Sequence, residues 1–281
     1  MLRITCRSAT SRSLPTILPR ARWLWLVAAA LLVACATSPL DRRQVVLYSD
    51  QDMAQQGAAA YQQMRQQIPI SNNPNQINYV QCVADYVVAA LSDQQRSGVA
   101  WEVTVFDDEQ ANAFALPGGK IGVYNGLLDV AVNQHQLAAV MAHEVGHVIA
   151  AHSNERASQS TIRNAGLTAA RILGASDVAI ELIDQGAQLG IFLPFNRTQE
   201  SEADVIGVML MAEAGFDPAQ SIQLWENMNA VGGARPPEFL STHPAPESRI
   251  AELNSYLPAA NALLDQARRE GISPDCNYAR N

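Results

Sequence analysis

The stretch His143-Glu144-Val145-Gly146-His147 constrains this chain more than any other feature. It has the form HExxH and lies in a run that reads as helix. Residues four apart on a helix stand one above the other on one face, so both imidazoles reach a single metal ion. Glu144, next to His143, meets a water bound to that metal. Two neutral His ligands, an open position and a carboxylate base are the parts of a zinc hydrolase site.

The surrounding helix is well marked. Asn133 is a suitable N-cap, and Gln136 three residues on predicts a capping box. Leu137, Val140, Met141, Val145 and Val148 supply apolar packing positions. Gly146 inside a helix costs about 1 kcal/mol relative to Ala. A glycine there points to another backbone passing close, a substrate strand among the options.

A catalytic zinc usually takes three protein ligands and a water. His152 follows His147 by five residues, about 500° of helix, which turns it away from the His143/His147 face. It reads instead as a helix C-terminal residue favoured by the dipole. The better third ligand lies in Glu200-Ser201-Glu202-Ala203-Asp204, which opens a second helical run, Gln199 to about Ala214, closed by Gly215. Glu200 and Asp204 share a face. Glu200 is the expected ligand, and Asp204 the partner that fixes the tautomer of a ligand His, His143 first. An acidic first turn that complements the helix dipole is the alternative.

With those residues on the page, the chain resembles the gluzincin family of the CAAX prenyl endopeptidases and HtpX. The resemblance rests on HEVGH, on ESEAD as an ExxAD pattern, on Asn112-Ala113-Phe114-Ala115-Leu116-Pro117-Gly118-Gly119, and on Thr242-His243-Pro244-Ala245-Pro246-Glu247-Ser248-Arg249 as an HPxxxxR element. It covers roughly 50–257 and is strongest toward small periplasmic proteases of the LoiP and BepA kind. It implies an α+β, mostly α-helical fold: a zincin-type domain with a small sheet beside the HExxH helix. It implies one Zn²⁺ per chain, held by His143, His147 and Glu200, with Glu144 as general base.

Substrate in such a site is held extended, by strand addition to a sheet edge. Asn112, Ala113, Phe114 and Ala115 are the expected edge strand. His243 and Arg249 are candidates to stabilise the developing oxyanion. His243 has a second possible role, filling the metal's open position in a resting enzyme.

The N-terminus reads as a targeting segment. Arg3, Arg7, Arg12, Arg20 and Arg22 precede an apolar run from Trp23 to Val33, and no acidic residue occurs before Asp41. The run is short for a membrane span. It ends in Leu32-Val33-Ala34-Cys35, which resembles a bacterial lipobox. Cleavage then leaves a lipidated Cys35, and Ala36 after it points to the outer membrane. Residues 1–34 are thus read as a lipoprotein signal peptide, 35–49 as a lipidated tether and 50–281 as a single zinc metallopeptidase domain. Cys6 leaves with the leader. Cys82 and Cys276 remain, a pair that an oxidising compartment joins as a disulfide, two buried thiols being the alternative.

Removing the five leader arginines from 19 basic residues leaves 14 against 27 acidic, a net of −13. That charge disfavours nucleic acid as a partner. The coarse reading places helices over 50–67, 75–97, 218–231, 246–257 and 259–269. It places strands over 101–106, 112–116 and 120–124 and a short helix over 126–131. A broken helical stretch spans 156–193, and a loop over 232–241 delivers His243. Nothing in the sequence fixes an oligomeric state.

The expectation is a protease of the outer membrane facing the periplasm, with unfolded or misassembled envelope proteins as substrates. The rivals are a chaperone or assembly factor with a latent site, and a structural zinc module. The second has no use for Glu144.

Overall fold

The computed structural model describes residues 35–172, 196–231, 238–243 and 248–278. The expected leader 1–34, residues 173–193 of the expected helical stretch, 232–237 of the expected loop, and 244–247 lie outside those residues. Ala36–Asn281 forms one compact unit. Among the described residues no helix is long and apolar enough to cross a membrane.

The unit opens with β1 (Cys35–Thr37) and β2 (Arg43–Val45), a two-stranded ribbon. This ribbon lies within the segment 35–49 expected as a lipidated tether. Leu47 N donates to Ser158 Oγ, and Asn154 Nδ2 donates to Tyr48 O, so the segment is bound by its backbone. Helix α1 (Asp50–Gln67) is capped by Ser49, whose hydroxyl accepts from Asp52 N. The expected second helix divides in two. Helix α2 (Pro74–Ala89) starts with Pro at its first position, where a missing N–H costs nothing. Ser92 and Gln95 then form a capping box that restarts the chain as α3 (Asp93–Arg96).

Strands β3 (Glu102–Phe106), β4 (Ala113–Leu116) and β5 (Lys120–Tyr124) make a sheet in the order β3-β5-β4. β3 runs parallel to β5, and β4 antiparallel to it, with Ala113 opposite Val123 and Leu116 opposite Lys120. The outer edge of β3 is covered: Ser71 N bonds Val105 O and Asp107 N bonds Pro69 O. The β4–β5 turn uses Gly118 and Gly119 at φ 83° and 78°, values that glycine tolerates.

Helix α4 (Leu127–Val130) leads into α5 (Gln134–Ile149), the helix carrying the HExxH residues. Asn133 caps it by accepting from His135 N and Gln136 N. Gln136 Oε1 reaches one residue beyond the expected box and accepts from Val132 N. Helices α6 (His152–Ile172), α7 (Arg197–Glu213), α8 (Gln220–Val231), α9 (Glu238–Thr242) and α10 (Arg249–Arg269) follow. Part of the expected 232–241 loop is therefore helix. The two expected C-terminal helices are one, since α10 runs through Pro258. Proline removes one hydrogen bond of the ladder but does not oblige a stop when the flanking turns are packed, and Leu253, Ala260 and Leu264 are buried.

The core lies between the sheet, α2, α5, α7 and α8. Val83, Val87, Ile121, Val123, Leu137, Met141, Met211 and Leu224 are all buried there. Cys82 of α2 and Cys276 of the C-terminal segment are joined in a disulfide.

Candidate metal centre

Helices α5 and α7 come close enough to share a site because each carries a glycine at the crossing. A Cβ on Gly146 would stand 3.0 Å from Ala203 O. One on Gly207 would stand 2.9 Å from His143 N. The backbone that Gly146 admits is therefore that of α7, and the substrate strand is not what it accommodates.

This approach places Glu200 beneath the two HExxH imidazoles. His143 Nε2 lies 3.4 Å from Glu200 Oε2, and His147 Nε2 lies 3.4 Å from Glu200 Oε1. The two Nε2 atoms are 3.1 Å apart. A tetrahedron with metal–ligand bonds of about 2.0–2.1 Å has edges of roughly 3.3 Å, so the spacing fits zinc. His243 joins this set: one ligand atom from each of His143, His147, Glu200 and His243 lies within 4.8 Å of the others, and all four residues are buried.

The supporting contacts fix each ligand. His143 Nδ1 is 2.9 Å from Asp204 Oδ1, which leaves Nε2 to face the metal position. Arg249 is enclosed. Its Nε donates to Asp204 Oδ2, its Nη2 donates to Glu200 Oε2 at 2.6 Å, and its guanidinium stacks 3.9 Å over the Trp225 ring. Arg249 is the expected oxyanion donor, and its Nη1 is buried with no bonded partner among the described residues. Its Nε and Nη2 are committed to a ligand's partner and to a ligand, so it positions both. Burial opposes charge on His143, yet the hydrogen bonds and charges of Asp204 and Glu200 outweigh that and hold its pKa at about 10. Burial raises Glu200, but bonds from three imidazoles hold it well below the usual carboxylate range. Burial holds His147 well below its ordinary value, which keeps that ring neutral.

Glu144 stands on the other side of the group. Its Oε2 accepts from Ala115 N at 3.1 Å, and its Oε1 lies 3.2 Å from His243 Nε2. Burial raises its pKa, with partial relief from His243 and His143. The Ala115 contact places the base directly beside β4. Because Asn112 O bonds Tyr124 N across the sheet, Ala113 and Ala115 turn their backbone polar groups to the outer edge of β4. His243 is held at the end of α9, where its N bonds Phe239 O and its ring stacks on Phe239 with centroids 4.5 Å apart.

His152 was not legible as a site residue. It is fully buried, and its Nδ1 lies 2.8 Å from His147 Nδ1. A rotation of about 500° from His147 to His152 requires a helix continuing past residue 149. Ala151 instead adopts φ 53°, which ends α5 and swings His152 back under His147.

An HExxH helix crossed by a glutamate-bearing helix, with an edge strand beside the glutamate base, defines a zinc metallopeptidase centre. Residues 74–257 match peptidase family M48, and the chain belongs to that family. It is 35% identical over 221 residues to the mitochondrial metalloendopeptidase OMA1 of Saccharomyces cerevisiae, covering 74% of this chain and 63% of that protein. It is 37% identical over 202 residues to that of Schizosaccharomyces pombe, covering 71% and 56%. It is 31% identical over 228 residues to the beta-barrel assembly-enhancing protease of Escherichia coli, covering 77% and 46%. The chain thus spans less than two thirds of each of these relatives.

Proposed function

We propose that this chain is a zinc-dependent endopeptidase that cleaves unfolded or misassembled proteins of the cell envelope, held at the outer membrane by lipid on Cys35. The observation that carries the peptidase reading is the position of Glu144, bonded to the edge strand through Ala115 N and facing the metal group. The outward carbonyls of Ala113 and Ala115 pair with an extended substrate, their N–H groups being held by Asn112 Oδ1 and Glu144 Oε2, a mode that reads main chain and so suits clients of varied sequence. The adjoining cavity of about 690 Å³, lined in part by Met53, Val99, Trp101 and Val148, gives apolar side chains of such a substrate a place. When held by His143, His147 and Glu200, zinc would supply a Lewis acid and lower the pKa of a bound water. Glu144 accepts the proton of the attacking water and passes it to the leaving amine.

The envelope location draws on the arginine-rich, acid-free leader and on Cys35 at the end of Leu-Val-Ala. Relatives carry both mitochondrial and beta-barrel-assembly names, and a cysteine at that small-residue site favours the lipoprotein reading. Mass spectrometry of the membrane-bound protein should find an acylated Cys35 and no earlier peptide. A Cys35→Ser protein that matures normally and stays bound would remove it.

A second reading rests on His243. As a fourth donor in the metal group it occupies the place a substrate carbonyl needs, and the chain would then act as an assembly factor with a latent site. The decisive experiment compares wild type with Glu144→Gln on a reduced, unfolded protein. The glutamine keeps a hydrogen bond but accepts no proton, so turnover should fall by about 10²–10⁴-fold with zinc retained. Equal rates would end the general-base assignment. Suppression of aggregation by both proteins, with cleavage by neither, would favour the second reading.

A further inference from the structure

Residues 36–48 lie against α6, and one side chain of this strap reaches the back of the metal group. Arg42 follows Asp41, whose φ of 59° turns the chain inward. Its Nη1 and Nη2 each donate to one oxygen of Glu155 at 2.8 Å, and its Nε donates to Glu202 Oε2 at 2.7 Å. Glu155 lies in the first turn of α6 and Glu202 in α7, and both carboxylates are buried. Glu202 Oε2 also stands 3.1 Å from His152 Nε2, and His152 Nδ1 stands 2.8 Å from His147 Nδ1.

These contacts admit one consistent arrangement of protons. His147 turns Nε2 toward the metal position, so its proton sits on Nδ1. That N–H donates to His152 Nδ1, which must present a lone pair. His152 therefore carries its proton on Nε2 and donates it to Glu202. Glu202 is held in place by Arg42. A ligand imidazole is usually oriented directly by a carboxylate, carbonyl or water. Here a second imidazole stands between, and the carboxylate is one step further out, fixed by a residue of the N-terminal strap.

We propose that His152 and Arg42 are positioning residues for the metal ligand His147, so that the chain just past Cys35 is tied to the geometry of the metal centre. The inference rests on the metal group of the endopeptidase reading, and zinc binding tests it without recourse to proteolysis. The strap also makes contacts that do not reach His147, such as Leu47 N to Ser158 Oγ at 2.8 Å. These separate a relay from general tightening of the fold.

The experiment measures zinc affinity of the full chain by competition with a chromophoric chelator at one pH, alongside the melting temperature of each metal-free protein. His152→Leu and Arg42→Met should each weaken zinc by about 10–100-fold, the usual effect of removing a ligand's partner. His152→Asn, whose Oδ1 accepts near the position of the lost Nδ1, should recover most of that loss. Ser158→Ala should lower the melting temperature and leave zinc affinity unchanged. Wild-type affinity in folded His152→Leu and Arg42→Met would overturn the proposal. So would a loss in Ser158→Ala equal to that in Arg42→Met. If Arg42→Met does not fold, Arg42→Lys decides, since it keeps the charge but not the fork: weakened zinc supports the relay, and unchanged zinc overturns it. Should the wild type cleave nothing while the affinities follow this order, the endopeptidase reading falls and the positioning role stands.

Discussion

Arg249 shows how a single buried charge sets the character of this site. It is 1% exposed, and its charge is balanced by Asp204 and Glu200, which are themselves bound to His143 and His147. Removing one partner of a buried pair costs about 3–5 kcal/mol, because the other is left uncompensated. Two ligand substitutions should therefore differ in a way that metal content alone does not reveal. His147→Ala and Glu200→Ala should both lose zinc. The metal-free Glu200→Ala protein should melt well below metal-free His147→Ala, since Arg249 Nη2 then has no acceptor there. Metal analysis and melting of the two apoproteins check this. Full zinc retention in either would remove that residue from the ligand set, and equal melting would mean that Asp204 alone balances Arg249.

At the scale of elements, the site depends on how closely α5 and α7 approach. A methyl added at Gly207 would meet His143 N at 2.9 Å and His143 Cα at 3.0 Å, which are backbone atoms that cannot step aside. Gly207→Ala should force the helices apart, cost about 1–3 kcal/mol as overpacking, and weaken zinc by separating Glu200 from the imidazoles. Gly166→Ala is the contrast: it lies in α6 with nothing among the described residues within 4 Å of the added Cβ, and should be stabilising by about 0.5–1 kcal/mol through helix propensity. Chelator competition and melting on both variants decide it; unchanged zinc binding in Gly207→Ala would show that the crossing is compliant. The α5 and α7 spans and strands β4 and β5 were readable from the sequence, because their caps, apolar spacing and turn glycines are local signals. The His152 contact was not, because it depends on one residue, Ala151, in a left-handed conformation that glycine, not alanine, normally announces. The enclosure of Arg249 was also hidden, since it needs α10 laid across α7, a long-range packing that no window of sequence records. The break at Ser92 was present as Ser-x-x-Gln but was masked by continuing apolar periodicity in Val87, Val88 and Leu91.

For the molecule as a whole, the C-terminal segment acts as a clasp. After α10 the chain turns at Gly271, and Cys276 bonds to Cys82 of α2 across 194 residues of sequence. Noncovalent contacts reinforce the clasp. Gln134 Nε2 donates to Pro274 O, Cys276 N donates to Gln134 Oε1, and Tyr278 stacks on Tyr79 with centroids 5.0 Å apart. The crosslink acts mainly by limiting the unfolded chain, and a loop this long belongs at the upper part of the usual range, about 2–5 kcal/mol. In a domain of this size that corresponds to a fall of roughly 4–20 °C in melting temperature. The metal site should not share in the loss. Gln134 starts α5, and His143 lies nine residues further on, about 13 Å along the helix axis. The native contacts at Gln134 and Tyr79 also survive reduction in the folded state, because the crosslink is not what orients them. A reductant should thus lower the melting temperature of the wild type while zinc stoichiometry stays at one per chain. The Cys82→Ser/Cys276→Ser protein should melt at the lowered temperature with or without reductant. Loss of zinc on reduction would show instead that the clasp sets the α2–α5 packing on which the HExxH face depends.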